Sequence, residues 1–377
     1  MKIYVVYIGK IEHCPPAMSL IQQLAEQNYD VCLYTTQMTQ NIKKICKTKK
    51  IEFFENRIEY SNNISILSKL LRMLNIRKNF WKYYEKNIKS GSSVIWVLSE
   101  VTLKHLGKKL LSQKYILHLL ELNESIYYFP KYKLFKLNMN RYGNSAYRVI
   151  ECEYNRAHIT KAWWELDNLP AVLPNKPYTY EKYSKNMKIT SDLYAKEVIK
   201  KLYNKKIILY QGTISKERPL DSYIKAIEKL GDEYAFLIMS NGENLYQKYS
   251  YVSNFYFLSF IEPPQHLEIT SHAYIGILSY TPTKNNYSIL NTLYCAPNKI
   301  FEYSLFGVPM IGNDLPALRL EFEKKQFGIC LEKPTIENIC KAILEIDRNY
   351  KTMSDNSQKY YLETDMNKIV NKILDEG

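Results

Sequence analysis

Nowhere in the 377 residues is there an uninterrupted apolar run of the roughly eighteen residues a membrane span needs. The opening "MKIYVVYIGK" is likewise too short in apolar residues for a secretory leader, so a cytoplasmic protein is expected, at most attached to a membrane surface. Cysteine is sparse: the seven, at 14, 32, 46, 152, 295, 330 and 340, are odd in number and contain no CxxC pair. That argues against a disulfide framework and a zinc ribbon, and suggests a reducing compartment. DxD, HxxxH and clustered Cys/His patterns are all missing, so neither a metal nor another cofactor is expected. Acidic residues are in deficit, 38 against 52 Lys and Arg, which leaves a formal charge of +14. Such a surplus attracts anions without choosing between nucleic acid, acidic lipid and phosphorylated small molecules. Because no motif of a nucleic-acid module accompanies it, nucleic acid is not an expected partner.

What is present suits about two globular domains, with 46% apolar and 24% charged residues. Short β-branched and aromatic runs ("KIYVVYI", "VCLYTT", "IEFFEN", "VIWVLS", "YILHLL", "RVIECE", "AVLPN") alternate with stretches of helical spacing. Such alternation predicts an α/β fold with a parallel sheet covered on both faces. The Pro- and Tyr-rich "LPNKPYTYEKYSKN" at 173–186 interrupts it as a domain junction. Alternation then resumes with "KIILYQG", "YAFLIMSNG", "NFYFLSF", "YIGILSY" and "VPMIGN", a second doubly wound unit. Ligands of such sheets sit at the carboxyl ends of the strands, and two units in sequence predict a cleft between them.

In "PNKIFEYSLFGVPMIGND" at 297–314, Asn298 is the expected N-cap of a helix that runs from Lys299 to Gly307. Lys299 then falls in the first turn, where backbone N–H groups and the helix dipole favour a phosphate. Glu302, at i+3, shares that face, and a carboxylate there can accept both hydroxyls of a ribose. The plain alternative is an i,i+3 ion pair on a solvated face. Upstream, "LYQGTISKERPLDSYIKAIEKL" at 209–230 reads as a strand, a loop and a helix with Pro219 near its start. Gly212 there permits close backbone approach, and Arg218 can fork onto a diphosphate. A basic surface loop with Lys216 and Arg218 is the alternative.

In order and spacing, "YQGTISKERPLDSYIKAIEKL", "FYFLSFIEPPQHLEITSHAYIGILSY" and "APNKIFEYSLFGVPMIGND" resemble the C-terminal domain of GT-B-fold glycosyltransferases of the bacterial group 1, or family 4, type. The resemblance implies two Rossmann-like domains facing across a cleft. It gives an acceptor-binding domain at 1–178, a linker at 179–204, a donor-binding domain at 205–355, and a C-terminal helix at 356–377 packing back on the first domain. It places Gly212 beside the diphosphate of a nucleotide-sugar donor, Arg218 as its clamp and Glu302 on the ribose, with Asn298 and Lys299 completing the donor-site candidates. The family's other glutamate would fall at Tyr294, a departure at the position that usually touches the donor sugar; Asn298 and Lys299 would take over part of that role. In the first half, "YIGKIEHCPPAMSLIQQLAEQNYDV" is similar to the family's first strand and acceptor loop, with Gly9 and His13. "YILHLLELNE" offers His118, Glu121 and Glu124 as groups facing the site, His118 and Glu121 being the catalytic candidates and His118 otherwise a core histidine.

The resemblance implies a metal-independent transferase that moves a sugar from a nucleoside diphosphate to a lipid-linked or polysaccharide acceptor, with retention of configuration. An inverting enzyme would need Glu121 or His13 as base. A nucleotide-sugar 2-epimerase or a non-catalytic partner subunit are the other readings. Finally, "LSKLLRMLNIRKNFWKYYEKNIK" at 67–89 interleaves apolar and aromatic residues with seven basic ones, Lys69 to Lys89. It suits either an anionic membrane surface or helices packed on the sheet.

Overall fold

Successive side chains of the apolar runs are buried on opposite faces, as strands covered on both sides require. In the computed structural model, which describes residues 1–58, 65–87, 93–178, 183–242, 247–283 and 289–375, Ile3 and Val5 enter one core cluster and Tyr4 and Val6 another. Ile207 and Leu209, against Ile208 and Tyr210, divide in the same way.

The chain forms two compact units, Met1–Tyr178 with Asp365–Gly377, and Thr179–Thr364. The first contains β1 (Lys2–Lys10), β2 (Asp30–Gln37), β3 (Glu52–Glu55), β4 (Ser93–Leu98), β5 (Tyr115–His118), β6 (Tyr127–Phe129), β7 (Leu134–Lys136), β8 (Arg148–Glu151) and β9 (Ala171–Val172). Seven of them make a sheet in the order β3-β2-β1-β4-β5-β8-β9, with every pairing parallel. β6 and β7 form a separate antiparallel hairpin that periodicity did not announce. The second unit holds β10 (Lys206–Gln211), β11 (Tyr234–Ser240), β12 (Phe255–Ser259), β13 (Ile275–Leu278), β14 (Met310–Asn313) and β15 (Gly328–Leu331), in the parallel order β12-β11-β10-β13-β14-β15. In both sheets the strand order reverses after the first strand. The switch points lie between β1 and β4 and between β10 and β13, where α/β sheets bind ligands.

Two segments differ from expectation. The stretch 179–204 carries the helix Leu193–Lys201, whose Ala195, Val198 and Ile199 are buried in the second core, so it is structural rather than connecting. The stretch 356–377 is not one helix: Tyr350–Glu363 stacks Tyr360 on Phe301 in the second unit, the chain breaks at Thr364, and Met366–Asp375 buries Val370, Ile373 and Leu374 in the first. The basic stretch is a single helix, Ile66–Asn87, with Lys89 outside the described residues. Its Met73, Ile76, Phe80, Trp81 and Tyr84 are buried. No described helix is long and apolar enough to cross a membrane.

Candidate functional site

The carboxyl end of β10 runs directly into Gly212, whose φ of +114° is open to glycine and strained for other residues. A Cβ there would stand 2.7 Å from Cε and 2.9 Å from Nζ of Lys299, so the close approach that Gly212 permits is that of the lysine stem. Lys299 belongs to the helix Asn298–Leu305, which ends with Gly307 in the left-handed region (φ +59°), as expected. At its start the helix differs by one residue. Pro297 is the N-cap, no side chain caps it, and Asn298 is the first helical residue, because the fixed φ of proline already sets the entry.

The Lys299 ammonium is sealed from solvent and has no hydrogen-bond acceptor among the described residues. It lies 4.6 Å from the centre of the Tyr210 ring and 5.5 Å from that of Tyr280, while the Arg218 guanidinium lies 5.2 Å from the Tyr280 ring. Burial first, and then the Arg218 charge, pull Lys299 down to about 7, against a weaker opposing pull from Glu302. Two cations are thus held together by aromatic faces and, among the described residues, lack a counter-anion at hydrogen-bond distance. Arg218 donates from Nη1 to the Thr213 carbonyl at 3.1 Å and also bonds the Tyr210 side chain. Lys216 on the same loop is exposed.

Glu302 lies one turn beyond Lys299 and is not ion-paired to it. Its Oε2 accepts from Gln211 Nε2 at 2.5 Å, and its Oε1 lies 3.3 Å from His266 Nε2. Burial pushes the carboxyl up, but His266 and Gln211 outweigh it and hold the group below its ordinary range. Thr270 in turn donates to Gln211 Oε1 at 2.7 Å, which fixes the amide orientation. The surface ion pair is therefore ruled out by geometry. Sequence reasoning missed Tyr210, Tyr280, Gln211 and His266. The first three lie at strand ends flanking the switch point, and that position was the available signal. Tyr294 follows the short helix Ile289–Leu293 and is half-buried.

The first-unit candidates do not assemble. Gly9 lies inside β1, not in a loop, and its carbonyl accepts from Thr35 and Thr36 at 3.1 and 3.2 Å. His13 is exposed at the end of the one-turn helix Ile11–His13. His118 ends β5 at 2% exposure, accepts from Trp96 Nε1 at 3.4 Å, and burial drives its pKa to about 3. A ring kept neutral and enclosed in the core is a poor exchangeable base, so the core reading fits this histidine. Glu121 and Glu124 are exposed on the loop after β5, where the Glu124 carbonyl accepts from Trp164 Nε1 at 3.1 Å. Beneath them lie two glutamates that sequence reasoning passed over. Glu100 follows Ser99 (φ +71°) at the end of β4, Glu151 ends β8, and burial raises both to about 7. Thr160 donates to Glu151 at 2.6 Å. No group of three or more metal-binding side chains occurs among the described residues.

No protein-family model matches the chain, and no curated protein sequence matches it significantly. Solved structures do. HepE of Anabaena, in complex with UDP-glucose, superimposes with a TM-score of 0.66 at 14% identity, over 100% of this chain and 99% of that one. A glycosyltransferase from Rickettsia africae gives 0.66 at 13% identity, over 100% and 99%. A UDP-GlcNAc 2-epimerase from Neisseria meningitidis, bound to UDP-GlcNAc, gives 0.58 at 12%, over 100% of both chains. At such identities the likeness establishes the fold: two Rossmann-like units of GT-B type.

Proposed function

We propose that the chain is a glycosyltransferase that takes a sugar from a nucleoside diphosphate and delivers it to a hydroxyl of a lipid-linked or polysaccharide acceptor. The carrying observation is the sealed Lys299 ammonium at the β10–β13 switch point, without an acceptor among the described residues and beside Arg218. A diphosphate supplies the negative charge this pair lacks. Glu302, kept ionised by His266 and Gln211, is placed to accept the ribose hydroxyls.

In the reaction the bond from the anomeric carbon to the β-phosphate oxygen breaks, a bond from that carbon to the acceptor oxygen forms, and the acceptor proton is lost. Negative charge grows on the departing diphosphate, where Lys299 and Arg218 stabilise it in a site that burial has largely dried. Same-face attack with retention accords with the buried state of His118. The exposed Glu121 and His13 remain the bases an inverting reaction would use.

The test is turnover of a nucleotide-sugar panel by Arg218→Ala and Glu302→Ala variants, preceded by a thermal-shift screen against nucleoside diphosphates. Stabilisation by one diphosphate identifies the base through linkage, and both variants should lose most activity. Wild-type rates in both would overturn the assignment. Isomerisation of the donor sugar without acceptor, read by NMR, would favour the epimerase reading that the Neisseria neighbour raises.

A further inference from the structure

The helices Ile66–Asn87 and Glu100–Leu106 and the β6–β7 hairpin enclose a groove of about 930 Å³ in the first unit. Its size falls within the range of about 300–1,000 Å³ usual for small-molecule sites. Ile8, Met73, Ile76 and Phe129 give it a buried apolar floor. Above them it is lined by Lys69 of the first helix, Lys104 and His105 of the second, and Tyr128, Lys131 and Tyr132 of the hairpin. Ile8 lies near the carboxyl end of β1, and the second helix follows β4, so the groove reaches the switch point of the first sheet, where such sheets bind ligands. The Ile8 backbone N–H donates to Thr102 Oγ1 at 3.0 Å and ties the strand to that helix.

No acidic side chain lines the groove, and Lys69, Lys104 and Lys131 have no ion pair among the described residues. Burial pulls Lys104 down, against a weaker pull from Glu100. Arg77 donates to the carbonyls of Lys104 and His105 at 2.9 and 3.2 Å and so fixes the end of the helix that presents them. His105 adds the opposite polarity. Its Nδ1 lies 2.9 Å from the Val101 carbonyl, and a carbonyl only accepts, so the proton sits on Nδ1 and the neutral ring keeps a lone pair on Nε2. Burial, with the charges of Lys104 and Arg77, pulls the ring to about 4 and keeps it neutral at pH 7. Nε2 is not sealed, and the ring lines the groove. A bare anion would use the lysines and leave the imidazole acceptor and the tyrosine faces idle. A neutral sugar would use those and leave the half-buried Lys104 unanswered. A sugar that bears a negative group uses all three, because aromatic faces also suit the C–H side of a sugar ring.

We propose that this groove seats a sugar unit of the acceptor that carries a carboxylate or phosphate group, with Lys69, Lys104 and Lys131 answering the charge, His105 Nε2 accepting from a hydroxyl, and Tyr128 and Tyr132 beside the ring. The inference rests on the transferase reading, whose acceptor it specifies as an acidic saccharide. All of the residues it uses belong to the first unit.

The experiment is calorimetric titration of the full chain with a galacturonic acid trisaccharide, with glucose 6-phosphate and with uncharged maltotriose. At least one acidic sugar should bind, more weakly as salt is raised, and whichever binds identifies the charged group. Maltotriose should bind about tenfold less tightly or worse, the worth of one hydrogen bond to a charged group. Lys69→Ala/Lys131→Ala and, separately, Lys104→Met should each raise the Kd of the acidic sugar about tenfold. His105→Phe, which keeps a ring and removes the acceptor nitrogen, should raise it several-fold. Lys196→Ala/Lys201→Ala, exposed on the second unit, should leave it unchanged. Equal loss in that control would overturn the groove in favour of diffuse attraction. Maltotriose binding as tightly as the acidic sugars would overturn the charge, and inorganic phosphate or acetate binding as tightly would overturn the saccharide. Nucleoside diphosphate binding, titrated in parallel, should be unchanged in every variant. If neither acidic sugar binds while the diphosphate does, this inference alone falls. If the sugar binds and no diphosphate does, the transferase reading falls and the groove stands as a saccharide site.

Discussion

At the end of β10 the second unit buries a lysine beside an arginine, whereas at the ends of β4 and β8 the first unit buries two glutamates, although the two sheets are wound in the same order. Burial moves each group toward neutrality: Lys299 falls to about 7, and Glu100 and Glu151 rise to about 7. Winding order thus fixes where polar groups converge and leaves their sign to the side chains. The difference lies in what answers the charge. Glu151 takes a bond from Thr160 and lies in the field of Arg156, so its unit answers part of the charge, although its Oε2 has no partner among the described residues. Among the described residues Lys299 has the faces of Tyr210 and Tyr280, a like charge beside it and a weaker pull from Glu302, an arrangement that an anion from outside the fold would complete.

The sharpest way to break this contrast is Lys299→Ala. If the cation serves a departing diphosphate, kcat should fall by about 10²–10³, the usual cost of one such group. Because the substitution also removes a desolvated cation beside Arg218, Tm of the ligand-free protein should hold or rise. A lowered Tm with unchanged kcat would make Lys299 a structural residue and erase the difference between the units.

Glu151→Gln tests the other side. The folded pKa of Glu151 is raised, so its favourable contribution is complete below the unfolded value near 4.5 and is lost as pH rises through about 7. The glutamine variant loses this dependence. Relative to wild type it should gain stability between pH 5 and pH 8, by on the order of 3 kcal/mol if the whole shift is expressed. Urea melts at the two pH values measure it, and parallel pH profiles would mean that Glu151 is ionised and matched in the fold. Little change in kcat is expected, since Glu151 is enclosed in the core.

Most of the fold could be read from the sequence because buried parallel strands are dense runs of β-branched and aromatic residues, as in "KIYVVYI" and "KIILYQG". The hairpin at 127–136 escaped because its strands are three residues long and mostly outside the core. In the site, Gly212, Arg218, Lys299 and Glu302 stood out by residue type at strand and helix ends. His266 did not, since nothing local tells that a histidine on the five-residue helix His266–Thr270 meets Glu302 across the fold. The depth of His118 was not legible either, since a strand-end position says nothing of burial, and this ring is 2% exposed.

The smallest expected effect is also the most specific to the second unit. With Lys299 near 7 in the free protein, about half of the molecules carry its proton at neutral pH, and a bound diphosphate should restore full protonation. Binding then takes up a proton, so the apparent Kd of a nucleoside diphosphate should rise about fivefold from pH 7 to pH 8, once the phosphate's own ionisation is subtracted. Calorimetry in two buffers of different ionisation enthalpy gives the uptake directly. At pH 8 it should approach one proton per site, and it should vanish in Lys299→Met while persisting in Glu151→Gln. Equal uptake in all three proteins would place the titrating group elsewhere, and the lysine would then be a charge held permanently by its two tyrosines.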